Sequence, residues 1–177
     1  SQIEDIEIVK GRVVLFEVCC GEESKLTTCV RKRKGEGVRI GLPNHDMTKS
    51  NTLEGLNRAI QTLQKASAKV VMWMSVPCSP WCTWQRVNLQ MIEGFKATLE
   101  EQRTESLKMI DDIRRVLEEV KIESYFEWPM RNDGWKKKEV EELMKLVPYS
   151  TEIDGCAYQL KNSEGKPMKK AWRIHSI

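Results

Sequence analysis

A repeated switch of hydrophobic period constrains this chain more than any other feature. Short apolar runs of strand length alternate with stretches whose apolar residues recur every three to four positions. Arg12–Cys19 (Arg-Val-Val-Leu-Phe-Glu-Val-Cys) has the continuous apolar character of a strand buried on both faces. Ser24–Arg33 follows as a helix with Ser24 as its N-cap. Gly35 and Gly37 punctuate, and Gly37–Leu42 reads as a second strand stopped by Pro43. Thr52–Ala66 places Leu53, Leu56, Ile60 and Leu63 at helical spacing. Lys69–Val76 (Lys-Val-Val-Met-Trp-Met-Ser-Val) is the strongest strand. After a Pro- and Cys-rich loop, Pro77–Trp84, one long helix is expected from Val87 to about Lys121, with Leu107, Ile110, Ile113, Leu117 and Val120 on one stripe. Glu123–Trp128 is a strand ended by Pro129, and Lys136–Leu146 an amphipathic helix. Ser150–Leu160 and Lys169–Ile177 read as an antiparallel hairpin about the turn Asn162–Pro167.

Strand–helix alternation demands crossover connections, so the expected class is α/β: a mostly parallel sheet with helices on both faces, made mixed by the C-terminal hairpin. At 177 residues there is room for one domain, and 40% apolar residues can fill a core. The net charge of +3 allows a basic patch but does not by itself point to nucleic acid. No apolar run approaches the roughly 18 residues of a membrane span, and residues 1–12 are too acidic and polar for a secretory signal. Cys19, Cys20, Cys29, Cys78, Cys82 and Cys156 make a poor disulfide framework; a reducing compartment, cytoplasm or nucleus, is expected. No Cys-x-x-Cys occurs and His45 and His175 stand alone, so no zinc or other metal is expected. Starting at Ser1 and stopping inside a strand-like run, residues 1–177 read as a single domain cut from a longer polypeptide.

Ligands of such sheets bind outside the carboxyl ends of the strands, near the point where strand order reverses. Four loops therefore matter. The first, Glu17-Val18-Cys19-Cys20-Gly21-Glu22-Glu23-Ser24, has an acid at a strand end and a tight turn into a helix, the arrangement that holds a nucleoside. Glu22 and Glu23 at the helix start would repel a pyrophosphate but not a ligand carrying a sulfonium and an amino group; a plain strand-to-helix turn has the same pattern. In the second, Asn44-His45-Asp46-Met47, Asp46 suits a ribose hydroxyl or an adenine amino group, and equally suits capping the next turn. The third holds Pro77-Cys78-Ser79-Pro80-Trp81-Cys82-Thr83-Trp84: a thiol just past a buried strand, stiffened by prolines, as a positioned nucleophile requires. The other fate of such a residue is a structural cysteine. Trp81 and Trp84 are suited to walling a pocket or stacking a base, and also to plugging the sheet edge. In the fourth loop Glu127 ends an apolar strand next to the one carrying Cys78, where burial would raise its pKa for proton donation; Arg131 stands close enough in sequence to neutralise it.

These residues resemble the catalytic half of S-adenosylmethionine-dependent methyltransferases, nearest to the cytosine-5 DNA methyltransferases. Leu15-Phe16 leads into the turn at Gly21, Pro77-Cys78 matches the family's Pro-Cys pair, and Glu127 matches its Glu, with Trp128-Pro129 where the family has Asn-Val. The runs V-P-C-S-P-W, F-E-W-P, G-C-A-Y-Q-L and A-W-R-I are also similar to methyltransferase-like segments of retrotransposon polyproteins. The resemblance implies a Rossmann-like methyltransferase sandwich, here truncated: one strand–helix unit is missing before Cys78, and no segment is long enough for target recognition. It implies an S-adenosylmethionine site over Glu17, Cys19, Gly21, Asp46 and Pro77, catalysis by Cys78 and Glu127, and a flipped pyrimidine held by Trp81, Trp84 and Arg131. Two functions follow as expectations. One is methyl transfer to nucleic acid, at carbon 5 of cytosine through a covalent cysteine. The other is a catalytically inactive methyltransferase-like module that binds nucleic acid or protein within a mobile-element polyprotein. Oligomeric state is left open by the sequence.

Overall fold

The computed structural model describes residues 10–22 and 24–177. It is an α/β fold with a mixed six-stranded sheet and, among the described residues, five α-helices. The strands are β1 (Val13–Val18), β2 (Glu36–Ile40), β3 (Lys69–Met74), β4 (Glu123–Pro129), β5 (Tyr149–Asp154) and β6 (Ala171–Ser176). The helices are α1 (Lys25–Lys32), α2 (Ser50–Lys65), α3 (Gln85–Met91), α4 (Phe95–Val120) and α5 (Lys138–Leu146). The sheet order is β2-β1-β3-β4-β6-β5, with β1 through β4 parallel and β6 antiparallel to both of its neighbours.

Alternation along the strands decides which face is core. Val14, Phe16 and Val18 of β1 stand beside Val38 and Ile40 of β2 and Val70, Met72 and Met74 of β3, all buried. Phe126 and Trp128 of β4 continue this face. Leu56, Ile60 and Leu63 of α2, Ile110, Ile113, Val116, Leu117 and Val120 of α4, and Val140 and Leu143 of α5 close over it in one apolar cluster. On the opposite face α1 is, among the described residues, the one α-helix, seated over β1 and β2. There a Cβ on Gly37 would come within 2.9 Å of the Thr27 backbone, so the helix can approach only because that position has no side chain. Beyond α1 the same face presents Trp73, Tyr125, Glu127, Ile174 and Trp172, all half-buried, with Trp73 and Tyr125 stacked at 5.6 Å. Helices do lie on both faces, but unequally.

Two expected elements differ. The long helix from Val87 divides into α3 and α4 at Gly94, whose φ of +76° no L side chain adopts readily. The strand expected over Ser150–Leu160 stops at Asp154. It gives way to a 3₁₀ turn, Gly155–Tyr158, where a Cβ on Gly155 would strike the Trp172 and Leu160 side chains. The turn after it is as expected: Asn162 Oδ1 accepts the Glu164 and Lys166 N–H groups, and Lys161 bridges Pro167.

Candidate functional site

The connections from β1 to β2 and from β2 to β3 run in opposite directions, so the reversal of strand order falls between β1 and β3. Their carboxyl ends flank the crevice in which a ligand of this fold is expected. Glu17 ends β1 and is buried. One carboxylate oxygen accepts the Ser24 hydroxyl, the other the Thr27 N–H at 3.1 Å. Ser24 is the N-cap of α1 and Thr27 is in its first turn, so Glu17 places negative charge at the positive end of that helix and satisfies one of its free donors. Both of its oxygens are engaged inside the protein.

Cys19 sits at φ 60°, a backbone state that favours glycine, while its N–H donates to the Ile40 carbonyl at 2.7 Å. Its sulfur lies 3.4 Å from the Met109 sulfur of α4, and burial pushes its thiol up to about 12. The Cys20 thiol donates to the Glu17 carbonyl at 3.1 Å; its pKa is raised by burial first and then by the Glu17 carboxylate. Gly21 faces open space where a Cβ would be, and its carbonyl accepts the Ser24 N–H at 3.1 Å. Of the two acids expected at the helix start, Glu22 is exposed and Glu23 lies outside the described residues. In the second loop Asp46 Oδ1 accepts the Thr48 hydroxyl at 2.7 Å and its N–H at 2.9 Å, which holds the carboxyl below its usual range. His45 Nδ1 is buried with no hydrogen-bond partner.

After β3 the chain passes Ser75, Val76 and an exposed Pro77 to Cys78, which heads a one-turn 3₁₀ helix, Ser79–Trp81. The turn is closed by the Trp81 N–H on the Cys78 carbonyl at 3.0 Å and braced by Gln85 Nε2 on the Ser79 carbonyl at 2.7 Å. Cys78 is half-buried. Burial raises its thiol pKa; the Lys170 ammonium opposes that shift, while Cys82 and the Glu127 carboxylate add to it. Glu127 lies two residues before the end of β4, on the lightly covered face. Ser75 donates to Glu127 Oε2 at 3.0 Å and accepts the Trp73 indole N–H at 3.0 Å.

The structure thus sets Cys78 just past the end of β3 and Glu127 near the end of the neighbouring β4, with the Lys170 ammonium opposing the upward shift of the Cys78 thiol. It sets Glu17, Cys19 and Gly21 at the end of β1, and Asp46 past β2. The two tryptophans part company. Trp81 is 2% exposed, donates its indole N–H to Ser106 at 3.0 Å, and lies 5.3 Å below each of the Arg103 and Lys137 cations. It plugs the core, whereas Trp84 is 72% exposed. Arg131 is exposed. Ser75 carries a role that sequence reasoning did not assign. Period-two alternation was the available signal for Ser75, since it sets Ser75 on the same face as Trp73.

A separate cleft of about 630 Å³ runs between α4 and α5, lined by Lys108, Arg114, Arg115 and Lys138 but also by Asp111, Glu139 and Glu142, so its charges largely cancel. Among the described residues no three His, Cys, Asp or Glu side chains are grouped to hold a metal ion, and no helix is long and apolar enough to cross a membrane. No family model matches the chain, and no curated protein is similar to it.

Proposed function

We propose that this is a methyltransferase-like domain whose ligand is nucleic acid and whose reactive edge is formed by Cys78 and Glu127. The observation that carries the reading is geometric: Cys78 just past β3 and Glu127 of β4 stand at the same edge of neighbouring parallel strands. The sheet supports it. A parallel set β2-β1-β3-β4 continued by an antiparallel strand suits a Rossmann-like methyltransferase sandwich shortened by one strand–helix unit.

Two residues fit S-adenosylmethionine and two do not. Gly21 leaves its backbone open to close approach, and the Asp46 carboxylate is held ionised. Glu17 is spent on α1, and the Cys19 thiol is packed on Met109. When bound, the cofactor would supply a methyl group on a sulfonium. The chain's own part is local. Ser75 fixes the Glu127 carboxyl, Lys170 favours the thiolate of Cys78 and attracts a polyanion, and Trp84 offers an exposed indole to a base.

A second reading, an inactive binding module, is favoured by the raised Cys78 pKa, which leaves the thiol protonated at neutral pH, and by the engagement of Glu17. Calorimetry with S-adenosylmethionine and its demethylated product separates the two, followed by methyl transfer to a cytosine-containing oligonucleotide by the wild type and Cys78→Ser. Heat of binding with transfer abolished in Cys78→Ser supports the enzyme. Oligonucleotide binding without cofactor heat supports the module. Binding of neither ligand sinks both.

A further inference from the structure

We infer that β5 is an assembly edge, along which two copies of this chain pair antiparallel about a two-fold axis through Thr151. The inference is independent of the methyltransferase reading. The two edges of the sheet are treated differently. On β2 the Arg31 guanidinium caps the Gly37 carbonyl and α1 lies over the strand. On β5, among the described residues, β6 is the sole partner. Tyr149, Ser150, Thr151 and Glu152 are exposed in succession, so this stretch lies uncovered on both faces. An open strand edge templates pairing unless a proline, lysine, bulge or uncompensated charge blunts it. The strand Tyr-Ser-Thr-Glu-Ile-Asp has no proline and no lysine, and its Glu152 is already compensated by Arg173 at 2.7 Å within the sheet.

The sequence of this edge is self-complementary in one register. Residues opposite each other in an antiparallel pair must share a face, so the axis passes through a residue. An axis through Glu152 sets that carboxylate against its own copy and Ser150 against Asp154. An axis through Ile153 sets Glu152 against Asp154, and one through Ser150 pairs only the first three residues of the strand. With the axis through Thr151, Thr151 meets Thr151 and the Ser150 hydroxyl meets the Glu152 carboxylate. Tyr149 of one copy then covers Ile153 of the other, an aromatic on a β-branched side chain formed twice. Tyr149 is 70% exposed in the single chain, so this contact takes an exposed aromatic ring out of water. The product is an isologous dimer with one continuous sheet.

Sedimentation of the full chain over a concentration series is expected to show a monomer–dimer equilibrium. Thr151→Lys sets two ammonium groups across the axis and is expected to weaken the dimer by roughly tenfold. Its circular dichroism should be unchanged, since Thr151 is exposed. Register is read by mild oxidation of single-cysteine additions: Thr151→Cys is expected to give an intermolecular 151–151 disulfide, located by mass spectrometry, and Ser150→Cys none. A monomer at every concentration, a dimer indifferent to Thr151→Lys, or a crosslink at 150 in place of 151 overturns the proposal.

Discussion

Replacing Glu17 by Leu tests whether that carboxylate belongs to the fold or to a ligand. The two side chains are similar in size, and the position is 6% exposed, so packing changes little. What is lost is the acceptor for the Ser24 hydroxyl and for the Thr27 N–H at 3.1 Å. Hydrogen bonds to a charged group contribute about 1.5–3 kcal/mol each, and a buried N–H left without a partner costs about 1–3 kcal/mol. The leucine recovers some of this by burying apolar surface where a carboxylate stood, so a net loss of about 3 kcal/mol is reasonable. With a urea slope of about 2 kcal/mol per molar for a chain of this size, the unfolding midpoint drops by about 1.5 M. Urea titration followed by far-ultraviolet circular dichroism reads this directly. An unchanged midpoint, with calorimetric affinity for the demethylated cofactor lost, would refute the assignment of Glu17 to α1 and return it to the ligand.

Other consequences are equally open to measurement. Gly94→Ala meets no atom within 4 Å, so its whole effect is backbone strain at φ +76°; a loss of about 1 kcal/mol is expected in the same titration, and no loss would mean that the break between α3 and α4 is not where it is drawn. Trp81→Phe keeps a ring beneath Arg103 and Lys137 but strips the donor from Ser106, for an expected loss of about 1–2 kcal/mol; a larger loss of oligonucleotide binding than of stability would instead make Trp81 a ligand contact. Cys19 ties stability to alkaline pH. Its thiol is raised from 9.0 to about 12 in the fold, so between those values the unfolded chain has released a proton that the native chain retains. Its contribution is fully present below pH 9.0 and is lost as pH rises from there towards about 12. Cys19→Ala should flatten that part of the stability profile, and an unaltered slope would deny the burial of the thiol.

The fold was legible wherever a single local rule decided the outcome. Apolar runs of strand length and three-to-four spacing sufficed for β1 to β4 and for α1, α2 and α5, and Ser24 does cap α1. The apolar stripe from Leu107 to Val120 correctly marked one long helix, but it begins at Phe95. A periodic pattern cannot sense that Gly94 turns left-handed, because the residues on either side remain good helix formers. The end of β5 was invisible for the opposite reason. Its limit is tertiary, set by Trp172 and Leu160 packing against Gly155, residues distant from the strand's own pattern. The uneven coverage of the two sheet faces was also out of reach, since alternation of strands and helices says that crossovers exist but not how many fall on each side.

The site divides along the same line. Chain order sufficed to bring Cys78 and Glu127 to adjacent strand ends, because parallel neighbours joined by a crossover must finish on the same edge. Which hydrogen bonds those side chains would already have made was not given by order alone. Glu17 is the instructive case, for its partners Ser24 and Thr27 are only seven and ten residues away and sit at the start of a helix that the sequence did predict. An acid ending a strand just before a capped helix has two candidate positive fields, that of a bound ligand and that of the helix N-terminus, and the second is present in every molecule whether or not a ligand arrives. The same competition does not arise for Glu127. Near the end of β4, among the described residues no helix N-terminus engages it and it accepts one side-chain hydroxyl, that of Ser75, which leaves carboxylate capacity to spare. That difference in unspent hydrogen-bonding capacity, more than position at a strand end, is why the proposed reading seats its ligand at the β3–β4 edge rather than at the β1 turn.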